Sequence, residues 1–265
     1  MEKNIQISVA QASFKNGDIP YNLSRMENMI KQCKKENPSA RLIVFPELSA
    51  TGYFLTSSLK EMAEDMNGSI FQFMSKVAGE NNLYVVYGYV ELDQSGQIYN
   101  SIKLIDPNGI ALANYRKIHL TPLERDIFSP GSEIILADTE IGKIGLMICW
   151  DLAFPELARQ LALQGANILV APSAWENPFS SSFTTFGMAR AIDNTVYVAA
   201  TNHIGPSENL SFFGESAIYA PDGTVIASAK DGAEVIIAAD LNDAWRKELK
   251  DTFYTMLQER RTDVY

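Results

Sequence analysis

A chain of 265 residues, 46% hydrophobic and 20% charged, has the composition of a soluble globular protein and enough length to bury a sizeable core. A formal net charge of -10 without any basic run argues against a nucleic-acid partner, and no apolar run approaches the length of a membrane span. Two cysteines, Cys33 and Cys149, form no disulfide framework and fit a reducing cytoplasm.

The start has no signal-peptide pattern, since Met1-Glu2-Lys3-Asn4-Ile5 leads straight into a strand. Asn4 to Ala10 alternates Ile5, Ile7 and Val9, the period of a strand. Leu23, Met26, Ile30 and Cys33 mark one face of a helix that ends before Pro38, which makes Cys33 a core residue. Leu42 to Phe45 is a short buried strand, followed at once by Pro46-Glu47. Ile70, Phe73, Met74 and Val77 give a helix over roughly Ser69 to Ala78. Leu83 to Val90 is a strand. Tyr99 to Ile105 and Ile110 to Arg116 form a hairpin across Asp106-Pro107-Asn108-Gly109.

The second half repeats this grammar. Lys143 opens an aliphatic strand through Ile144 to Ile148, and Pro155 suits the first turn of the helix that follows. Ile168 to Ala171 is a short buried strand, a helix runs from about Phe183 to Asp193, and Val196 to Thr201 is the next strand. Ser216 to Tyr219 and Thr224 to Ala229 flank Pro221-Asp222-Gly223, a second hairpin. Glu234 to Ala239 adds one more strand.

The order is therefore β-α-β-α-β-hairpin, twice. Each half is expected to form one mixed sheet with two helices on one face. The bare apolar faces then bury against each other in a four-layer αββα sandwich, an α/β fold spanning residues 1–265 as one domain. From about Asn242 the chain carries a mixed-charge helix and ends in Glu259-Arg260-Arg261-Thr262-Asp263-Val264-Tyr265. Residues 242–265 read as an arm lying on the body or on a partner subunit.

Three side chains stand just past apolar runs. Cys149 sits where a strand stops and a helix has not begun, an edge where open α/β folds bind ligands. A nucleophile on such a turn is exposed on a rigid mount, with backbone N–H groups at hand for an oxyanion. Buried structural thiol is the commoner fate of free cysteine, so the reading depends on its companions. Glu47 follows another buried strand and can accept the thiol's proton, then deliver it to a leaving amine. Lys117 follows a third, in Tyr115-Arg116-Lys117-Ile118-His119-Leu120, and can stabilise an oxyanion. Singly each has a bland alternative: a turn carboxylate, an exposed basic pair. Together they describe a hydrolytic site.

Phe45-Pro46-Glu47-Leu48, Tyr115 to Leu120 and Cys149-Trp150-Asp151-Leu152-Ala153-Phe154-Pro155-Glu156 resemble the three signature segments of the nitrilase superfamily, the carbon-nitrogen hydrolases. Thr51-Gly52-Tyr53, Phe128-Ser129-Pro130-Gly131, Phe213-Gly214-Glu215-Ser216 and the ending Arg260 to Tyr265 extend the resemblance over nearly the whole chain. It implies Glu47 as general base, Lys117 as the oxyanion's cation and Cys149 as nucleophile. It also implies a second active-site glutamate, which Glu124 matches; Asp126 and Glu133 are weaker candidates. A pocket cation beside a base needs an orienting carboxylate, which gives Glu124 a physical reason; its bland alternative is a surface pair with Arg125. In this family the C-terminal arm commonly packs at a dimer interface, so a homodimer or larger even oligomer is expected.

Other features carry less. Asp151 and Glu156 read as helix-terminus carboxylates complementing the macrodipole. His119 and His203 belong to no cluster with metal-ligand spacing, so no metal or other cofactor is assigned; His119 reads as structural support. Gly214-Glu215-Ser216 lacks the length and lysine of a phosphate loop. Tyr53, Trp150, Trp175 and Phe179 suggest an apolar pocket wall, with the first three as substrate-binding residues. The expected activity is hydrolysis of a small amide through a cysteine thioester, with ammonia released. N-carbamoyl amine or amino-acid hydrolysis, nitrile hydrolysis and a non-catalytic binding protein are the alternatives.

Overall fold

The computed structural model describes residues 4–230 and 232–264. Met1-Glu2-Lys3 and Tyr265, an expected lead-in to the first strand and the last residue of the expected arm, lie outside them. The first half supplies β1 (Ile5–Gln11), α1 (Ile19–Glu36), β2 (Ala40–Val44), α2 (Ser69–Asn81), β3 (Tyr84–Leu92), β4 (Ile98–Ile105) and β5 (Ala111–Arg116). The second supplies β6 (Leu136–Thr139), β7 (Gly142–Leu146), α3 (Pro155–Leu163), β8 (Ile168–Ser173), α4 (Ser180–Asn194) and β9 (Tyr197–Asn202). A small hairpin, β10 (Ile204–Ser207) and β11 (Leu210–Phe213), precedes β12 (Ala217–Tyr219), β13 (Val225–Ser228), β14 (Val235–Leu241) and α5 (Asp243–Thr252).

Two mixed six-stranded sheets result, ordered β14-β1-β2-β3-β4-β5 and β13-β12-β9-β8-β7-β6. Strand alternation builds the four layers. Ile7 and Val9 of β1 and Leu42 and Val44 of β2 face Ile144 and Leu146 of β7 across the inter-sheet core. The residues between them point the other way: Ala10 and Ile43 pack on Leu23, Met26 and Ile30 of α1 and Met74 and Val77 of α2. Each Val, Leu, Ile or Met side chain of these layers that is buried in full contributes about 1.5–3 kcal/mol. Cys33 lies in this outer layer, its thiol 3.3 Å from the Ser8 hydroxyl, as its helical phase requires.

The helices begin and end where local chemistry says. The Asp18 carboxylate caps α1 by accepting the Tyr21 N–H, Pro20 sits in the first turn, and Lys34 and Lys35 lie in the last. Pro155 opens α3. α4 starts at Ser180, earlier than the apolar spacing indicates, so Ser180-Ser181-Ser182 belongs to the helix.

Three features depart from the two-halves reading. β14 leaves the second half and pairs antiparallel with β1 at the edge of the first sheet. β6 is a short antiparallel edge on β7, and β10–β11 forms a separate two-stranded hairpin. Trp245 of α5 and Leu257 beyond it pack against the inter-sheet core, and the Thr195 hydroxyl donates to the Tyr254 carbonyl at 3.2 Å. Phe253 and Val264 of the same segment are exposed. No helix among the described residues is long and apolar enough to cross a membrane.

Candidate active site

β2, β5 and β7 each end within three residues of one of the three side chains singled out by sequence, and Glu47 and Lys117 meet in one buried cluster. Backbone geometry holds the turns. After β2 the chain reverses through Leu48, whose φ is +48°. The reversal presses on Gly88 of β3, where an added Cβ would stand 2.2 Å from the Leu48 nitrogen, so only glycine fits. Lys117 is fixed on both sides: its N–H donates to the Asn100 carbonyl at 2.9 Å, and its carbonyl accepts the Gly131 N–H at 2.7 Å. Cys149 itself has φ +47°, a left-handed conformation rare outside glycine, at the head of a short 3-10 turn over Cys149–Ala153. Cys149 thus sits on a strained turn between a strand and a helix, where the sequence placed it.

The Lys117 ammonium lies 2.7 Å from Glu47 Oε1 and 2.8 Å from both oxygens of Glu124. All three residues are buried. The Asn100 amide joins the two carboxylates, donating to Glu47 Oε1 at 2.7 Å and to Glu124 Oε1 at 3.0 Å. The Thr121 N–H donates to Glu124 Oε2 at 2.8 Å. Glu124 thus pairs with Lys117 and not with Arg125, while Asp126 and Glu133 are exposed and stand apart. One oxygen of the cluster is different: Glu47 Oε2 is buried and has no hydrogen-bond partner.

The electrostatics follow from this geometry. Burial, and next the Lys117 charge opposing it, leave the Glu47 carboxyl raised to about 7, with the nearby Glu124 charge adding to the rise. Burial also pushes Glu124 upward, but Lys117 and the Thr121 N–H outweigh it and hold the group below the usual carboxylate range. Burial disfavours a charged Lys117, yet Glu124 and Glu47 overcome this and fix the ammonium as a cation. The Cys149 thiol is pushed well up by burial and then by the Glu47 charge, against the pull of Lys117 and the Ala174 N–H.

Asp151 requires a correction. Its carboxylate is fully buried and does more than complement a helix terminus. It accepts the Tyr115 hydroxyl at 2.7 Å, the His119 N–H at 3.0 Å and the Ile148 N–H at 2.9 Å, and lies 2.7 Å from His119 Nδ1. It therefore ties the Lys117 segment to the Cys149 turn. His119 stacks on Phe154 with ring centroids 3.7 Å apart, a supporting role. Glu156 remains an exposed carboxylate in the first turn of α3. His203 Nε2 lies 2.6 Å from the Glu47 carbonyl oxygen and braces that turn from behind; burial lowers this imidazole to about 4, so it is neutral.

A cavity of about 420 Å³ opens beside Cys149. Tyr53, Trp150, Trp175 and Phe179 line it, as their positions near strand ends suggested. Tyr53 also reaches Glu124 Oε1 with its hydroxyl at 3.5 Å. Trp150 and Trp175 stand with centroids 5.4 Å apart, and Phe186 lies 6.0 Å from Trp175. Sequence reasoning missed Asn100, Phe186 and Glu176. Asn100 left a signal, since asparagine is disfavoured within a strand; Phe186 and Glu176 left none.

Comparison with known proteins identifies the family. Residues 6–247 match the family model described as carbon-nitrogen hydrolase. A probable nitrilase of Schizosaccharomyces pombe is 40% identical over 264 residues, covering 98% of this chain and 96% of that protein. An (R)-stereoselective amidase of a Pseudomonas species is 34% identical over 259 residues, covering 97% and 92%. Among solved structures, a Saccharomyces cerevisiae member of the nitrilase superfamily superposes with a TM-score of 0.89 at 29% identity, covering 95% of this chain and 94% of that one.

Proposed function

The chain belongs to the carbon-nitrogen hydrolase family, and on that premise we propose that it hydrolyses a small primary amide through a cysteine thioester. The observation that carries this reading is the vacant, buried Glu47 Oε2. A buried carboxylate oxygen without a donor is costly, and a site that retains one has a use for it. Here it is the acceptor for the Cys149 proton.

The steps follow. Because burial and neighbouring carboxylates hold the Cys149 thiol protonated, attack is concerted with proton transfer and needs no preformed thiolate. Sulfur bonds to the amide carbon, the proton passes to Glu47, and the carbonyl π pair moves onto oxygen. That oxyanion is met by Lys117 and a main-chain N–H beside Cys149. Glu124 grips Lys117 through both oxygens, so one ammonium proton can turn to the oxyanion while the ion pair persists. The tetrahedral intermediate collapses, the C–N bond breaks, and Glu47 returns the proton to the departing nitrogen as ammonia. Water, oriented with Glu124, then loses a proton to Glu47 and attacks the thioester. The C–S bond breaks and the thiol is restored.

Relatives are named both nitrilase and amidase. A nitrile gives a thioimidate that must be protonated on nitrogen before water adds; an amide gives an oxyanion at once, which rewards the fixed Lys117. Ammonia release from matched amides, carbamoyl compounds and nitriles tests the choice. The amide is expected to be faster than its nitrile by at least about tenfold, or about 1.4 kcal/mol in barrier. Faster nitrile turnover would remove the amide reading and leave the Glu47, Lys117 and Cys149 roles standing.

The proposal extends to residues 1–265 working as one domain in a reducing cytoplasm, as a homodimer or larger even oligomer. The exposed Phe253 and Val264 beside Arg260 and Arg261 give the C-terminal segment apolar and charged groups for a partner. Light scattering should show an even oligomer, and deleting residues 260–265 should weaken it.

A further inference from the structure

One charged side chain lines the cavity, and the reaction above does not use it: Glu176. Its segment is braced. The Trp175 N–H donates to Asn202 Oδ1 at 2.7 Å, the Phe179 N–H donates to the Glu176 carbonyl at 3.0 Å, and the Glu176 backbone bridges to Phe212 of β11. Glu176 therefore lines the cavity from a fixed backbone position.

Among the described residues, no lysine or arginine lines the cavity. The cation whose charge Glu176 feels is Lys117, which Glu47 and Glu124 already occupy. Glu47 and Glu124 thus already face the one ammonium, and Glu176 brings a third carboxyl to a site with no cation to spare for an anionic substrate. The remaining wall is aromatic: Trp150, Trp175, Phe179 and Phe186. A carboxylate set among aromatic faces is the chemistry that recognises an ammonium group, through a counter-charge and through ring quadrupoles. The same wall repels a carboxylate, because its charge would enter a partly dry cavity against Glu176 and Glu124.

We infer that the substrate is a short amide whose acyl chain carries a cationic amine, with Glu176 as its counter-ion and the Trp150–Trp175 corner as its bed. This rests on the amide reading for the carbonyl end. Glu176 and Cys149 line the same cavity of about 420 Å³, so a short spacer joins the amine to the scissile carbonyl.

Three primary amides with the same two-methylene spacer test it: β-alaninamide, butanamide and succinamate, ending in ammonium, methyl and carboxylate. Ammonia release should give the order ammonium, methyl, carboxylate in kcat/KM, with the first step at least about tenfold. Glu176→Gln should bring the ammonium-to-methyl ratio toward one, chiefly through the KM of β-alaninamide. Glu176→Lys should raise succinamate above β-alaninamide. A wild-type preference for succinamate, or an ammonium preference untouched by Glu176→Gln, would overturn the inference. Should none of the three release ammonia, the amide reading fails on its own, and calorimetry with β-alaninamide decides the recognition. Binding weakened by Glu176→Gln upholds it; no binding to the wild type, or equal binding to both, rejects it.

Discussion

Arg116 and Lys117 are neighbours at the end of β5, and each meets a buried glutamate. Arg116 pairs with Glu91 through Nε at 3.0 Å and Nη2 at 2.5 Å, and Ser101 and Asn114 donate to the other oxygen of Glu91 at 2.7 Å each. Every lone-pair direction that matters is used. Burial raises Glu91, the Arg116, Ser101 and Asn114 hydrogen bonds outweigh it, and the carboxyl ends below its ordinary range. Glu47 receives Lys117 and Asn100 on one oxygen and nothing on the other, and its carboxyl rises to about 7. Both are carboxylates beside a cation at the same strand end. The saturated one is a brace; the unsaturated one is the residue proposed as the base.

Substitutions can break this contrast. Cys149→Ala removes what the vacant oxygen serves, and turnover should fall by several powers of ten, on the order of 10⁴ or more, with an unaltered melt. Near-native turnover in a folded variant would end the mechanism. Glu47→Gln keeps the shape and removes the base, so kcat should drop by about 10² to 10⁴. Glu91→Gln is the control: turnover should persist, while the poorly paired Arg116 costs about 1–3 kcal/mol in a denaturant titration. If Glu91→Gln silenced the enzyme as Glu47→Gln does, the two carboxylates would not differ in kind.

Lys117→Met preserves alkyl bulk and removes the charge. The barrier should rise by about 3 kcal/mol or more, expressed in kcat. A rise confined to KM would make Lys117 a binding residue.

The smallest effect sharpens the contrast through pH. Glu47 must be ionised to take the thiol's proton, and its carboxyl lies near 7, so kcat/KM should fall as pH drops through about 7. The Glu124 charge contributes to that rise, so residual activity of Glu124→Gln should show its acid limb at lower pH. A limb that stayed fixed would assign the titration to another group.

Much of the architecture could be read from the chain because it is written locally. Alternation at Ile5, Ile7 and Val9 and the helical face of Leu23, Met26, Ile30 and Cys33 both specify buried faces without knowledge of partners. Glu47, Lys117 and Cys149 stood out because each ends an apolar run. Glu124 was visible mainly through resemblance, since it stands in a loop seven positions after Lys117 and no periodicity there aims it inward. Asp151 was misjudged for a related reason. Its position near a helix start offered a local role, whereas Tyr115 and His119 lie 36 and 32 residues away. Gly205 and Pro206 hid β10, since both residues usually interrupt strands. The pairing of β14 with β1 could not be read at all: periodicity identifies a strand but not its neighbour.

That last pairing has a consequence for how the protein is made. Ile5 meets Leu241 and Gln11 meets Val235, so the edge of the sheet carrying Glu47 waits for residues more than two hundred positions downstream. During synthesis β1 and β2 leave the ribosome early, and the outer edge of β1 has no strand to cover it until nearly the whole chain has followed. An open strand edge is a template for wrong partners, and contacts this distant in sequence form late. Nascent chains stalled before Val235 should therefore be the species that chaperones hold. Release of the last thirty residues should convert the first sheet from an exposed edge into a closed one.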